Sequence, residues 1–254
     1  MITTLIEYLT KIETLIIPDS DLSSTTLPWF RGQGDSSWNL TPSIYRGDWD
    51  ASRERELHRD FTLRALMEID HKPTMYVGWM FVMQHHGLPT RLLDWTESSV
   101  AALYFAVENY SNAADAAVWV IHPWNLNELP TSFGQRSVPH LNEDIEADYL
   151  FPKNTIPIPR IAKDLPMALR PAHTTRRIVA QRGHFTIHGQ SRKGLDEIPT
   201  VSARLLTKLE IAGTSKLRIL QDLYKVGISR FTLFPDLDGL SIELRIRYSK
   251  NFMR

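Results

Sequence analysis

The chain has 254 residues, of which 43% are hydrophobic, and its 29 Lys and Arg are balanced by 29 Asp and Glu. A hydrophobic share of this size predicts a packed globular core and argues against a disordered chain. Zero net charge creates no field that would attract nucleic acid or anionic lipid, so neither is indicated as a partner. The absence of cysteine excludes disulfides, thiolate nucleophiles and cysteine-based metal sites, and it favours a reducing, cytoplasmic location.

The N-terminal segment has the periodicity of a helix. Apolar residues at helical spacing predict a helix over residues 3–16, interrupted by the charges of Glu7, Lys11 and Glu13. This pattern lacks the basic start and the cleavage site of a signal peptide. No apolar run reaches the roughly 18 residues that a membrane span needs, so we expect no membrane contact.

Helices and strands follow in irregular alternation. The periodicity predicts further helices at Ser52–Glu68, Pro73–His86, Glu97–Glu108 (capped by Thr96 or Ser98), Ser215–Val226 and Leu237–Tyr248. It predicts strands at Leu27–Arg31, Thr90–Trp95, Ala116–Ile121, Ile178–Ala180, Phe185–Ile187, Ala203–Ile211 and Phe231–Phe234. We therefore expect one α+β domain over residues 1–254, with a central mixed or antiparallel sheet flanked by helices.

The segment from Pro123 to Pro171 contains eight of the fifteen prolines and little periodicity. It predicts a long irregular excursion, which is uncommon inside a compact domain. Such an excursion is either a lid or binding loop, or a surface connection.

Arg31 follows two aromatic residues on a predicted strand and precedes Gly32. A guanidinium in a buried setting must be paired or reserved for an anionic ligand, because an isolated buried charge is very costly. Gly32 would let a ligand approach the backbone closely. The alternative is an internal pair with Glu54 or Asp94.

The densest polar stretch in an apolar setting is Gln84–Ser98. Its candidate site residues are Gln84, His85, His86, Thr90, Arg91, Asp94, Thr96, Glu97 and Ser98. These groups cannot all be desolvated without a hydrogen-bond network, which either specifies the fold or binds a ligand. Asp94 is either a partner of Arg91 or Arg31, or a catalytic carboxylate.

A third cluster runs from Arg176 to His188 and is expected to form a strand–turn–strand with Gln181 at a strand end. An amide there can orient a ligand, but it cannot act as a carboxylate base. A metal site is not expected, because His85 and His86 are adjacent and no His-Glu-x-x-His occurs. The predicted strands holding Arg31, Asp94, Val118 and Phe185 should be neighbours that share one core.

In this order, the three clusters resemble the FRG domain family. The resemblance is carried by Phe30-Arg31-Gly32, by the stretches Gln84–Thr96 and Gln181–Thr186, and by Gly227-Ile228 with Leu233–Gly239, so it covers residues 25–245. FRG domains are bacterial and are associated with mobile elements and phage defence. The resemblance therefore implies the effector of a bacterial toxin or anti-phage system, with an antitoxin or another protein as its partner.

The order of motifs is also similar to that of ADP-ribosyltransferases. In that resemblance Phe30-Arg31 matches the first strand, and Thr96-Glu97-Ser98 matches the start of the helix that follows. It implies NAD or a related nucleotide as the ligand, held by Arg31, Thr96 and Ser98. The third element departs from the pattern, because Gln181 stands where a catalytic carboxylate is expected.

Two functions follow from these motifs. One is an NAD-dependent ADP-ribosyltransferase or NAD glycohydrolase in which Asp94 or Glu97 supplies the missing carboxylate. The other is a non-catalytic sensor or protein-interaction module, in which Arg31, Arg91 and Asp94 form an internal ionic network.

Overall fold

The computed structural model is built around one six-stranded sheet. It describes residues 1–16, 27–47, 51–141, 166–171, 175–189, 191–249 and 252. The strands are β1 (Trp29–Gln33), β2 (Leu92–Thr96), β3 (Ala116–Ile121), β4 (Met167–Leu169), β5 (Gly183–Ile187) and β6 (Leu206–Ile211). Their order is β4-β5-β2-β1-β3-β6, and every neighbouring pair is antiparallel. The predicted α+β class with a central sheet is confirmed, and so is the expectation that β5, β2, β1 and β3 are neighbours.

Helices flank the sheet. They are α1 (Leu5–Leu15), α2 (Ala51–Ala65), α3 (Tyr76–His85), α4 (Ser99–Val107), α5 (Pro123–Glu128), α6 (Arg176–Gln181), α7 (Pro199–Ser202), α8 (Lys216–Lys225), α9 (Arg230–Leu233) and α10 (Leu237–Arg247). Single turns of 3₁₀ helix occur at Ser43–Tyr45, Leu195–Glu197 and Gly213–Ser215. None of these helices is long and apolar enough to cross a membrane.

The two faces of the sheet are covered by separate apolar clusters, because successive strand residues point to opposite faces. Phe30 packs with the buried residues of α4 and α8 on one face. Trp29 packs with Leu93, Trp95 and Leu126 on the other face. Because Arg31 lies two residues after Trp29 in β1, its Cβ atom is on the same face of the sheet as that of Trp29.

Two predicted strands are helices in the structure. Ile178–Ala180 lies within α6, which Thr175 caps by accepting a hydrogen bond from the backbone N–H of Ile178 at 3.2 Å. Phe231–Phe234 overlaps α9, where Ser229 and Thr232 form a capping box. In both places the apolar, β-branched or aromatic residues favoured a strand, but the preceding hydroxyl residue starts a helix.

Other predicted elements differ in their limits. The strand expected at Ala203–Ile211 begins only at Leu206, because α7 and a turn precede it. The expected irregular excursion over Pro123–Pro171 contains α5 and the strand β4, and its residues 142–165 lie outside the described part of the chain. Pro123 starts α5 as an N-terminal helical proline.

Candidate functional site

The sheet opens between β1 and β2. Phe30 opposite Thr96 is the one register pair that joins these two strands, although both are fully described. By contrast, β1 is joined to β3 by five pairs, and β2 to β5 by five. Residues 31–33 therefore diverge from β2, and the two strands form no further backbone pairs there.

A cavity of about 310 Å³ lies at this opening. Its walls combine backbone, aromatic rings and charged side chains: Phe30, Arg31, Gly32, Gln33, Gly34, Trp38, Asn39, Thr41, Arg46, Asp94, Trp95, Thr96, Phe105, Glu108, Arg177 and Gln181. The volume is at the lower end of the roughly 300–1,000 Å³ of small-molecule sites. The cavity is thus large enough for part of a nucleotide.

Arg31 bridges the opening. Its Nη1 donates to the backbone oxygen of Asp94 at 2.8 Å and lies 3.6 Å from the Asp94 carboxylate. Its Nε is buried and has no hydrogen-bond partner among the described residues. Burial lowers the pKa of Arg31, and the nearby Asp94 carboxylate partly offsets that effect. The guanidinium therefore carries one buried donor that has no partner among the described residues.

Arginine predominates among the charged residues that line the cavity. Arg46 and Arg177 join Arg31, and neither side chain has a hydrogen bond or ion pair with the described residues. Of the two carboxylates in the walls, Glu108 is held by Arg230 at 2.8 Å, whereas Asp94 is 60% exposed. The cavity is therefore electropositive and suited to an anion.

Thr96 and Gln181 meet at the end of β2. The Thr96 hydroxyl donates to the backbone oxygen of Gln181 at 2.6 Å and accepts from the backbone N–H of Ser98 at 2.9 Å. The Gln181 amide donates to the backbone oxygen of Leu233 at 3.0 Å. Gln181 is the last residue of α6, not the end of a strand as expected. Both side chains line the cavity, but both already have structural partners.

The carboxylates expected to act in catalysis have different surroundings. Asp94 lines the cavity with an exposed side chain. Glu97 lies 3.0 Å from Nε2 of His184, whose ring stacks on Trp29 at 4.5 Å. Sequence reasoning did not single out Glu108, which was only the last residue of the predicted helix Glu97–Glu108. Burial raises the pKa of Glu108, and Arg230 opposes that shift.

Several residues of the Gln84–Ser98 stretch are used inside the fold. Gln84 accepts a hydrogen bond from Thr90. Arg91 forms a two-point ion pair with Glu54, which includes a 2.7 Å bond from Nε, and also donates to the backbone oxygen of Gly189 at 3.1 Å. Of the two partners expected for Asp94, Arg31 is the one that contacts it, whereas Arg91 pairs with Glu54, which α2 brings to the guanidinium.

Ser98 and Gly32 both contribute to the local structure around α4. Ser98 is the N-cap of α4 and accepts from the backbone N–H of Ala101 at 3.3 Å. Gly32 lies under α4, so its missing side chain makes room for the helix backbone. It also borders the cavity, as expected for a residue next to a ligand.

His85 and His86 lie elsewhere, on a second and more apolar cavity of about 630 Å³. That cavity lies between α3 and the segment Glu68–Met75. The two rings meet edge to face at 5.1 Å. Among the described residues, no group of three or more His, Asp or Glu side chains is arranged to hold a metal ion.

The described elements define an α+β protein whose antiparallel sheet opens into an electropositive cavity. Residues 27–115 match the family model of the FRG domain, so the chain contains an FRG domain, as the sequence motifs predicted. The match includes β1, β2 and α4, which frame the opening. No curated protein and no solved structure matches the chain. The predicted extent of one FRG domain, beyond the matched range, stays a prediction.

The further cavity residues that sequence reasoning missed include Trp38, Arg46 and Arg177. Trp38 and Arg46 lie in the connection after β1, where no periodicity marks them. Arg177 was assigned to a strand. The hydroxyl of Thr175, three residues before Ile178, is the signal that predicts a helix there.

Proposed function

We propose that the cavity between β1 and β2 binds NAD or a related nucleotide, and that the protein is an ADP-ribosyltransferase-like effector of a bacterial toxin or anti-phage system acting in the cytoplasm. One observation carries this proposal. Arg31, Thr96 and Gln181 come from three distant parts of the chain and line one cavity. Arg31 and Thr96 are two of the three residues that the motif resemblance assigns to the ligand, and Gln181 stands at its third motif position. The remaining residue, Ser98, does not line the cavity.

The walls of the cavity suit the parts of a nucleotide. Guanidinium groups recognise phosphate oxygens through paired, charge-assisted hydrogen bonds. Trp38 is 52% exposed, and a base can stack on such a free indole face. Phe105 and Phe30 add apolar surface next to Arg31. These features support a ligand with both an anionic and an aromatic part.

Asp94 is the carboxylate best suited to turnover. Cleavage of the bond between nicotinamide and ribose passes through an oxocarbenium-like state, which a nearby carboxylate stabilises. Asp94 lines the cavity and is exposed, whereas Glu97 faces His184 and Gln181 carries no charge. Water as the acceptor would make the protein a glycohydrolase, and a protein side chain as the acceptor would make it a transferase.

Incubation of the pure protein with NAD tests the proposal through two readings taken together. Free nicotinamide reports cleavage, and the shift in melting temperature reports binding. A ligand at one hundred times its Kd stabilises the folded state by about 2.7 kcal/mol. Arg31→Ala should strongly reduce both signals. If the unchanged protein shows no nicotinamide release and no shift in melting temperature, the NAD proposal is contradicted.

The second candidate is a sensor or protein-interaction module with a nucleotide or an antitoxin as its partner. It is favoured by the commitment of Glu97 to His184 and of the Gln181 amide to Leu233, which leaves few groups for chemistry. A thermal shift with NAD but no nicotinamide release would favour this candidate. Asp94→Asn would then leave the shift in place.

A further inference from the structure

Arg177 has an unusual environment for a guanidinium. It stands 4.6 Å above the ring of Phe234, and Arg230 stands 3.6 Å from the centre of the same ring. Two positive charges on one ring repel each other. Arg230 is neutralised by Glu108 at 2.8 Å, whereas Arg177 has no hydrogen bond or ion pair with the described residues.

Arg177 and Arg31 share one counter-ion. Burial lowers the pKa of Arg177, and the charge of Asp94 acts against that shift, as it does at Arg31. The Asp94 carboxylate nevertheless lies 3.6 Å from Arg31, too far for a direct hydrogen bond, and is 60% exposed. Asp94 therefore compensates both guanidinium groups only in part, although Asp236 and Glu108 also act on Arg177, and the exposed Arg46 adds a third positive charge to the same walls.

We propose that Arg177 and Arg31 together bind the diphosphate group of the ligand, and that Asp94 is the internal counter-ion that gives way when this group enters. The inference rests on the proposed function, because it assigns the diphosphate of a dinucleotide or nucleoside diphosphate to the same cavity. Two planar guanidinium groups in the walls of one cavity can each hold one phosphate group. The site is thereby selective for a diphosphate over a single phosphate.

Calorimetry with inorganic pyrophosphate tests the site without a base or sugar. Arg177→Gln should weaken pyrophosphate binding about tenfold or more, because charge-assisted hydrogen bonds are lost. Arg176→Gln is the matched control: Arg176 is the exposed neighbour on the same helix, and it does not line the cavity. Arg177→Lys keeps the charge but not the planar fork, so it should be nearly as damaging as Arg177→Gln.

Asp94→Asn provides a test with the opposite sign. Removal of the competing carboxylate should tighten pyrophosphate binding about two- to fivefold, the effect of one exposed ion pair. If Asp94 instead only positioned Arg31, the same change would weaken binding. Thermal unfolding of each variant verifies that it is folded before its affinity is compared.

The outcomes separate this inference from the proposed function. Equal affinities of Arg177→Gln and Arg176→Gln for pyrophosphate, or no binding to the unchanged protein, would overturn the diphosphate site. NAD binding that does not depend on Arg177 would overturn it while leaving the nucleotide proposal intact. Pyrophosphate binding that depends on Arg177, together with no response to NAD, would confirm the site and contradict the NAD proposal.

Discussion

A Cβ atom added to Gly32 would lie 1.9 Å from the carbonyl oxygen of Ala102 and 2.7 Å from the backbone nitrogen of Ala106. The backbones of β1 and α4 are therefore in direct contact beside the cavity. No side chain fits between them, and neither backbone can move away without disturbing the buried face of the sheet.

Gly32→Ala should therefore destabilise the protein by about 3 kcal/mol or more, at or above the upper end for overpacking, because the contact is with backbone. Gly34→Ala is the matched control, since a Cβ at Gly34 meets nothing within 4 Å. Urea unfolding of both variants measures the difference. Equal stabilities would show that α4 can shift away from β1.

Arg31→Lys should be nearly as damaging to nucleotide binding as Arg31→Ala, because an ammonium cannot reproduce the planar fork. Loss of one charge-assisted hydrogen bond should weaken binding about ten- to over a hundredfold. Calorimetric titration with NAD measures this change. If both variants melt earlier but keep the affinity of the unchanged protein, Arg31 serves the fold through Asp94 and not the ligand.

Asp94→Asn should change the free energy of unfolding by less than about 1 kcal/mol, because exposed ion pairs contribute little. The Asp94 side chain is 60% exposed, so its loss does not leave Arg31 in the situation of a buried broken pair. If Asp94 stabilises the oxocarbenium-like state, nicotinamide release should fall while stability is retained. A stable variant with full nicotinamide release would assign the catalytic role to another group.

Glu54→Gln should destabilise the protein by about 3–5 kcal/mol, because it leaves the charge of Arg91 buried without its partner. The side chains of Glu54 and Arg91 are only 6% and 14% exposed. Glu56→Gln, on the exposed side of the same helix, is the control and should have little effect. Pyrophosphate affinity should be unchanged in both variants, since neither residue lines the cavity.

Stability should fall in mild acid because of His188. Burial, assisted by the charge of Arg91, lowers the pKa of His188 to about 3, while the unfolded chain takes up this proton near the ordinary histidine pKa of 6.5. The contribution of neutral His188 to the free energy of unfolding is therefore complete above about pH 6.5. It decreases by about 1.4 kcal/mol per pH unit as the pH falls from 6.5 to 3. Burial also lowers the pKa of His58, His85 and His122, which adds to the same trend.

Urea unfolding at a series of pH values measures this slope. His188→Asn should reduce it, whatever its effect on stability at neutral pH. His71→Asn is the control, because that side chain is exposed. The same slope in His188→Asn and in the unchanged protein would show that other groups cause the acid sensitivity.

The spacing of apolar residues predicted helices and strands correctly wherever one periodicity dominated. The helices α1, α4 and α8 and the strands β2, β3 and β5 were predicted close to their observed limits. The pattern was misleading at α6 and α9, where short apolar runs suit either a strand or a helix and a hydroxyl cap decides between them. It also missed β4, a three-residue strand in a proline-rich region.

The amino-acid sequence by itself determined the α+β class, the strands that carry Arg31 and Asp94, and the FRG resemblance, because these depend on local periodicity and on contiguous motifs. Only the tertiary structure decided which polar residues share a cavity. Arg91 is taken by Glu54, and His85 and His86 face a second cavity, while Arg177 joins Arg31 from a distant helix. The physical reason is that a charge is satisfied by whichever partner the packing brings within a few ångströms, and separation along the chain carries no information about that distance.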